Sequence, residues 1–302
     1  MISRRTFLAT SVVGASAFVS RGETKPALQV GLIADPQYAD VPTVGTRHYR
    51  QSLSKLGTAI EFFNGQPIDF CVNAGDTIDR DWQSFDPVLK VFEKSRHKFH
   101  HVLGNHDFEV EDRLKTEAPK RLGLERRYYS VAKAGLCFVM LDTNDVSVYA
   151  HPLASKETTD AVAALNRVAA TRVIHGQPWN GAVGAEQQKW FTETCRKAAE
   201  AKEKVVVFSH HPIFPWPNNH NAWNSDTLLR MVDENKNIIA WINGHNHYGA
   251  YAARNGAHFI TLRGMVETPD TNAFSVARFY EDRFEIAGNG REPSREIKHR
   301  AT

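Results

Sequence analysis

Short apolar runs that end in polar loops constrain the fold of this chain more than any other feature of its sequence. Each run is long enough for one buried strand, and segments with helical periodicity separate the runs. The runs cover residues 28–34, 68–74, 98–103, 205–208 and 238–242. Buried strands that alternate with helices predict an α/β fold built on a mixed sheet, in which ligands bind at the carboxyl ends of the strands.

The remaining segments complete the prediction of a single domain. We predict helices over 46–63, 85–94, 185–204 and 226–234, a hairpin-like pair at 128–131 and 136–141, and tail strands of alternating type at 258–262 and 274–279. The segment 144–184 interrupts this order with a helical stretch over 157–170 and a piece rich in Gly, Pro and Trp over 175–181. We interpret 144–184 as a cap or insertion on one domain that spans 26–302.

Potential metal ligands follow most of the predicted strands. They are Asp35, Gln37, Asp76, Asn105, His210, His245 and His247. These oxygen and imidazole donors are too many for one closed tetrahedral site, and they suit two adjacent open sites that share a carboxylate. The donor set lacks a thiolate and suits Mn, Fe, Co or Zn without selecting among them. Two such ions ~3.5–4 Å apart can clamp a phosphoryl group and generate hydroxide from water near neutral pH, which predicts phosphoester hydrolysis.

The order and wording of these motifs resemble a known family. The blocks Asp35-x-Gln37, Gly75-Asp76-x-x-Asp79, Gly104-Asn105-His106-Asp107, Ser209-His210 and Gly244-His245-Asn-His247 are similar to the signature blocks of the calcineurin-like metallophosphoesterases. Gln37 stands where that superfamily usually has His, but one branch, the manganese-dependent ADP-ribose/CDP-alcohol diphosphatases, carries Gln there. The segments 34–40, 127–130, 187–190, 244–249 and 264–269 are also similar to that branch.

The resemblance implies a fold, a cofactor and a set of ligands. The fold is the four-layer αββα sandwich of the family, with mixed sheets flanked by helices and the active site at the strand ends. The cofactor is a pair of divalent ions, manganese first, with iron, cobalt or zinc as alternatives. Asp35, Gln37, Asp76 and His247 would hold the first ion, Asp76 would bridge, and Asn105, His210 and His245 would complete the second site. Because an amide oxygen is a weaker donor than imidazole, we expect loose binding of the first ion and activity that depends on added metal.

The same resemblance implies two catalytic residues. His106 is not needed as a ligand, so it would contact the phosphate and act there as a general acid or as an electrostatic stabiliser. Asp107 would orient the ring of His106. We expect Asp79 to support the ligands by hydrogen bonding instead of binding an ion.

Substrate contacts are predicted among aromatic and polar side chains near the ligands. The loop 214–223 is dense in aromatic and amide groups that could stack on a base and bind its edge, or could anchor a Pro-rich loop by hydrophobic contact. The candidates are Tyr38, His211, Phe214, Trp216 and Glu267. His211 directly follows a ligand in an extended segment, so we expect it to point away from that ligand and to form part of the pocket wall.

The implied reaction is hydrolysis of the pyrophosphate bond in a nucleoside diphosphate linked to a sugar or an alcohol. One alternative is a broader phosphodiesterase or phosphomonoesterase on the same metal ions. In both cases the partner is a small nucleotide or phosphodiester substrate. A second alternative is a non-catalytic metal-binding protein on the same fold. His106 argues against this alternative, because a protein that only stores metal does not need that residue.

The net charge of +3 arises entirely from the first 25 residues. Residues 26–302 hold as many acidic as basic side chains, so no basic surface for nucleic acid is predicted. Arg4 and Arg5 precede an apolar and small-residue stretch over 7–19, which predicts a signal peptide over 1–25 and is too short for stable membrane insertion. The Arg pair followed by Thr-Phe-Leu resembles the bacterial twin-arginine signal, which predicts export of the folded protein by that machinery to the periplasm or the medium.

Overall fold

The computed structural model describes residues 25–299, which contain twelve strands and six α-helices. The strands are β1 (Leu28–Ile33), β2 (Phe70–Asn73), β3 (Phe99–His101), β4 (Tyr129–Lys133), β5 (Leu136–Met140), β6 (Lys204–Phe208), β7 (Ile238–Asn243), β8 (Ala250–Arg254), β9 (Ala257–Thr261), β10 (Ala273–Phe279), β11 (Arg283–Gly290) and β12 (Arg295–Lys298). The helices are α1 (Ser52–Asn64), α2 (Phe85–Phe92), α3 (Ala118–Arg121), α4 (Lys156–Ala170), α5 (Ala185–Glu200) and α6 (Ser225–Glu234). Residues 1–24 of the predicted signal peptide lie outside the described residues.

The strands form two mixed sheets of six strands each. In the first sheet the order is β12-β11-β10-β1-β2-β3, with β1, β2 and β3 parallel and β10 antiparallel to β1. In the second sheet the order is β4-β5-β6-β7-β9-β8, with parallel pairing from β5 to β9 and an antiparallel strand at each edge. The parallel strands of each sheet therefore end at a common edge, where polar loops follow them.

The two sheets lie face to face between two layers of helices. Because successive side chains of a strand alternate between its faces, Val206 and Phe208 of β6 join the apolar core between the sheets, whereas Val205 and Val207 join a second core with α5 and α6. A third core packs α1 and α2 on the outer face of the first sheet. These layers confirm the αββα sandwich. None of the helices within residues 25–299 is both long and apolar enough to cross a membrane.

The helix predicted over 46–63 begins only at Ser52. The preceding backbone pairs with a distant segment instead, since Arg47 forms an antiparallel bridge with Glu267, and His48 donates its N–H to a carbonyl of the same segment. These pairings replace the hydrogen bonds of a first helical turn. They also fix Arg47 in an ordered loop rather than on a helix surface.

Two other elements differ from their predictions. The helix predicted over 185–204 ends at Glu200, and the left-handed backbone of Lys202, with φ of 58°, turns the chain into β6. The tail strand over 274–279 does not alternate between buried and exposed positions. It lies within β10, a central strand whose Phe274 packs toward the helices while Phe279 packs between the sheets.

The segment 144–184 leaves the second sheet, forms α4 and returns to its starting point. Val146 and Ala182 form an antiparallel bridge that closes the segment at its base. Residues 175–181, here called the strap, lie against the loops that follow β6 and β7. One contact is the hydrogen bond from the His211 ring to the carbonyl oxygen of Trp179, at 3.3 Å.

Candidate metal centre

The loops after four parallel strands bring the predicted ligands into one cluster. Asp35 follows β1 and Asp76 follows β2 in the first sheet. His210 follows β6, while His245 and His247 follow β7 in the second sheet. The backbone N–H of His245 donates to Asp35 Oδ1 at 3.0 Å, which joins the two sheets directly at this edge.

Two groups of donor atoms share the carboxylate of Asp76. Ligand atoms of Asp35, Asp76 and His247 lie within 4.8 Å of one another, and so do those of Asp76, His210 and His245. All five side chains are buried. The structure therefore brings these five predicted ligands together, with Asp76 common to both groups.

Unpartnered oxygen atoms in the same cluster fit a pair of divalent cations. Gln37 donates its amide N–H to Asp76 Oδ2 at 3.0 Å, which leaves Gln37 Oε1 buried without a hydrogen-bond partner. Asp35 Oδ2 is also buried and unpartnered, and Asn105 Oδ1 lies 3.1 Å from His210 Nε2. Buried polar atoms are normally paired, and a divalent ion held by carboxylate, amide and imidazole groups would satisfy these.

Hydrogen bonds through Nδ1 hold two of the imidazoles in the tautomer that a ligand needs. His210 donates Nδ1–H to the carbonyl oxygen of Ala74 at 2.9 Å, and its Nε2 lies 3.2 Å from Asp76 Oδ2. His247 donates Nδ1–H to Glu267 Oε1 at 2.7 Å. In both rings Nε2 is therefore the nitrogen that faces the cluster and would bind an ion, as is usual when a carbonyl or carboxylate supports a ligating imidazole.

Glu267 therefore has a different role from the predicted substrate contact. Burial would raise the pKa of this carboxyl, but the hydrogen bonds with His247 and Thr46 and the nearby positive charges together outweigh burial and lower the pKa to about 2. An ionised Glu267 accepts from the His247 ring throughout the neutral range. It orients a ligand, and this contact between residues 20 apart in the chain depends on the fold.

The charges of Asp76 and His245 suit metal binding. Burial alone would raise the pKa of Asp76, but the imidazoles of His210 and His106 outweigh burial and hold it below its usual range. Burial and the neighbouring imidazoles, that of His211 first, hold the pKa of His245 well below its usual range. The shared carboxylate is therefore ionised and His245 is neutral, the protonation states that ligands require.

Several ligand residues have left-handed backbone conformations. The φ angles are 52° at Asp35, 43° at Gln37, 52° at Asp76 and 66° at His245. A non-glycine residue in this conformation destabilises the folded protein by on the order of 1–3 kcal/mol, and such strain concentrates at functional sites. Loop hydrogen bonds maintain it, including Gln37 N–H to the Asp76 carbonyl at 2.8 Å.

Two motif glycines are explained by the close approach of ligands. A Cβ on Gly104 would overlap both Oδ1 and the backbone nitrogen of Asp76. A Cβ on Gly75 would overlap Nδ1 of His210. Any side chain at either position would push a ligand out of place.

His106 lies beside the cluster among charged partners. Its Nδ1 is 2.8 Å from Glu109 Oε1 and 3.3 Å from Asp79 Oδ2, while its Nε2 is 3.5 Å from Arg47 Nη1. Burial would lower the pKa of His106, but Asp76 and the two contacting carboxylates outweigh it and raise the pKa well above its usual range. These carboxylates therefore favour the protonated form of the ring.

The structure corrects the predicted role of Asp107. Its carboxylate accepts backbone N–H groups from Gly104 at 2.8 Å, Thr77 at 2.8 Å and Ile78 at 3.3 Å. His106 and Asp107 are successive residues of one 3₁₀ turn, so their side chains point in different directions. Asp107 therefore braces the loop around Gly104, and Glu109 and Asp79 contact the His106 ring instead.

A cavity of about 290 Å³ opens over the donor groups. It is lined by Gln37, Arg47, Asp76, Asn105, His106, Glu109, Trp179, His220, His245 and His247. Arg47, Glu109, Trp179 and His220 are not among the predicted site residues. The composition of the strap and of the loop 214–223 is a signal for Trp179 and His220, but Arg47 and Glu109 carry no comparable signal.

The other predicted substrate contacts do not line this cavity. Tyr38 packs into the apolar core beside the first sheet, and the Phe214 ring packs against Phe259 with centroids 5.2 Å apart. Trp216 is partly exposed and lines a neighbouring groove. His211 is fully buried, and both of its ring nitrogens contact other partners.

Comparisons with known proteins decide the family. Residues 28–249 match the family model of the calcineurin-like phosphoesterases. The chain belongs to this family. Manganese-dependent ADP-ribose/CDP-alcohol diphosphatases of Bos taurus and Oryza sativa subsp. japonica are 28% and 29% identical to it, over 89% and 90% of this chain and 94% of each relative. A solved dimetal phosphatase from Danio rerio is similar with a TM-score of 0.82 and 26% identity, over 91% of this chain and 100% of that chain.

The family confirms the resemblance seen in the motifs. This calcineurin-like phosphoesterase is a metal-dependent hydrolase, so the non-catalytic alternative is set aside. The two donor groups around Asp76 are the candidate centre for its metal ions.

Replacement of Gly104 tests whether the close approach to Asp76 is required. In Gly104→Ala we expect the added Cβ to displace the shared carboxylate and to weaken Mn²⁺ binding ~10-fold or more. Equilibrium dialysis with quantification of bound manganese measures this. Gly57→Ala in α1 is the matched control, because a Cβ there meets open space and alanine favours a helix. Unchanged Mn²⁺ affinity in Gly104→Ala would contradict the interpretation.

Proposed function

We propose that this enzyme hydrolyses the pyrophosphate bond of a nucleoside diphosphate linked to a sugar or an alcohol, of the ADP-ribose or CDP-alcohol type. The products are a nucleoside monophosphate and the other phosphate ester. The names of the relatives support the proposal, and their similarity extends over 89% and 90% of this chain. The observation that carries it is a separate cationic side chain, Arg47, in the same cavity as the two donor groups.

Arg47 supplies a charge for the second phosphate of a diphosphate. With the scissile phosphoryl group at the donor groups, the adjoining phosphate would meet the guanidinium, whose Nη1 lies 3.5 Å from His106 Nε2. The side chain is 37% exposed, so it is open to a ligand. Its backbone bridge to Glu267 ties this cation to the residue that supports His247. Guanidinium groups bind phosphate oxygens in pairs, which favours a diphosphate over a small monoester.

His106 would act on the leaving group mainly through its charge. A phosphate monoester has a second pKa of about 6, so it can leave as an anion near neutral pH without receiving a proton. The protonated ring, held by Glu109 and Asp79, stabilises the negative charge that develops on that group. This favours electrostatic stabilisation over general-acid catalysis.

We propose manganese as the ion, on the basis of the relatives named as manganese-dependent. When bound, two divalent ions stabilise charge on the phosphoryl oxygens and lower the pKa of a water molecule. Asp35, Gln37, Asp76 and His247 would hold one ion, and Asp76, Asn105, His210 and His245 the other. The neutral amide oxygen of Gln37 makes the first of these sites the weaker one.

A substrate panel tests the proposed reaction. ADP-ribose, CDP-choline, a cyclic nucleotide and a nitrophenyl phosphodiester are assayed with chelator-dialysed enzyme, with and without added Mn²⁺. We expect Mn²⁺ to restore activity, and kcat/KM for the two diphosphates to exceed the other values ~10-fold or more. In Arg47→Ala we expect KM to rise ~10-fold for ADP-ribose and to change little for the diester, since only the former has a second phosphate.

Arg50→Ala is the matched control, because Arg50 is exposed and pairs with Asp40 at the surface. A preference for the diester, or full activity after removal of metal, would contradict the proposal. So would an equal effect of Arg47→Ala on both substrates. A preference for the diester would identify the broader phosphodiesterase.

Replacement of His106 tests its assigned role. In His106→Ala we expect kcat on ADP-ribose to fall ~10²–10³-fold, because a cation at the leaving group is lost. Elemental analysis should find bound manganese unchanged, since His106 is not a ligand. The half-buried His48, whose ring contacts Thr43 and does not line the cavity, provides a control, His48→Ala, with kinetics close to wild type. Loss of manganese from His106→Ala would show that this residue binds metal instead.

We also propose that the chain is exported through the twin-arginine machinery to the periplasm or the medium, on the basis of Arg4, Arg5 and the apolar stretch that follows. Replacement of both residues by Lys should abolish export, because the receptor reads the arginine pair. Cell fractionation with immunoblotting measures the distribution, with Arg21→Lys as the control. Full export of the double variant would refute this route.

A further inference from the structure

Asn180 of the strap contacts the imidazole ring of His245, a predicted ligand of the second ion. Its side chain is fully buried, and its Oδ1 lies 2.9 Å from Nε2 of His245. Its Nδ2 donates to the carbonyl oxygen of His175 at 3.0 Å and to that of Asn219 at 2.8 Å. Every polar atom of this amide therefore has a partner.

This network fixes which nitrogen of His245 carries the proton. Carbonyl oxygens only accept hydrogen bonds, so the amide nitrogen of Asn180 must face His175 and Asn219. The amide oxygen must then face His245, and it accepts the Nε2–H of that ring. The lone pair of His245 is left on Nδ1. His210 and His247 are held the other way round, with Nδ1–H donated and Nε2 facing the carboxylates of the cluster.

We propose that Asn180 is a positioning residue for the second ion, and that the strap is part of the metal centre. By holding His245 as the Nε2–H tautomer, Asn180 presents Nδ1 toward Asp76 and His210, with which His245 forms a donor group. The inference rests on the proposed metal centre and not on the proposed substrate.

The same contacts link the second ion to the cavity wall. Trp179 and His220, which line the cavity, directly adjoin Asn180 and its partner Asn219 in the chain. Asn180 thus connects three segments: the strap, the loop after β6 and the loop after β7. Loss of its amide would remove the hydrogen bond to the His245 ring. It would also remove the bonds that hold the strap and the loop after β6 together beside the cavity.

The first ion should not depend on Asn180. Its proposed imidazole, His247, is held by Glu267, and Gln37 is held by Asp76. Removal of the Asn180 amide should therefore weaken ion binding at the second site only. A general loss of structure would weaken ion binding at both sites.

The test is a Mn²⁺ titration followed by electron paramagnetic resonance, which distinguishes a coupled pair of ions from an isolated one. Wild type should bind two ions as a coupled pair. In Asn180→Ala we expect one ion to remain and the other to bind ~10–100-fold more weakly, the usual effect of losing a group that supports a ligand. The matched control is Asn221→Ala, because Asn221 is equally buried in the adjacent loop but donates to the carbonyl of Pro215.

A second variant keeps the test decisive if Asn180→Ala does not fold. Asn180→Asp retains the acceptor for His245 and loses the two N–H donors. It should therefore bind both ions with an affinity closer to that of wild type than Asn180→Ala does. A coupled pair of wild-type affinity in Asn180→Ala, or loss of the second ion in Asn180→Asp and Asn221→Ala alike, overturns the inference. An incorrect substrate assignment leaves all these results unchanged. Failure of wild type to bind a pair would instead refute the dinuclear centre itself.

Discussion

The buried carboxylate of Asp76 is the interaction on which the rest of the site depends. It accepts hydrogen bonds from the Gln37 amide at 3.0 Å and the His106 backbone at 2.8 Å, and it lies 3.2 Å from His210 Nε2. A charge without surrounding water needs such compensation to be tolerated in a protein interior. The loops therefore crowd around it, which accounts for the absence of a side chain at Gly104 and for the left-handed backbone of Asp76 itself. The left-handed backbone at Asp76 and the close packing at Gly104 therefore both follow from the burial of this one charge.

The architecture and the candidate ligands follow from sequence because they obey simple geometric rules. Apolar runs followed by Asp or His place those side chains at strand ends, and the ends of parallel strands meet at one edge of a sheet. For this reason Asp35, Asp76 and His210 could be grouped although they are far apart in the chain. The layers are equally predictable, since a sheet that is apolar on both faces, as at Val205 and Val206, must be covered on both.

The supporting contacts could not be predicted, because they depend on pairing between distant segments and on side-chain directions in short turns. Arg47 lies in a loop because its backbone bridges to Glu267, and local periodicity contains no trace of that pairing. That Glu109 and not Asp107 contacts the His106 ring depends on the rotation of one 3₁₀ turn. Trp216, chosen for its residue type, lines another groove. Residue type therefore groups the candidate ligands, but it does not select the aromatic side chains that line the cavity over them.

The position of β1 has a consequence for synthesis of the protein. This strand lies inside the first sheet, where Leu28 pairs with Phe279 of β10. Asp35 lies just beyond β1, and the preceding Ala34 accepts a hydrogen bond from Met265. Closing so long a loop costs entropy before any contact compensates it, which makes such pairings slow to form. A nascent chain on the ribosome therefore lacks a complete first sheet until β10, β11 and β12 have emerged, and the ion-binding edge matures only after that.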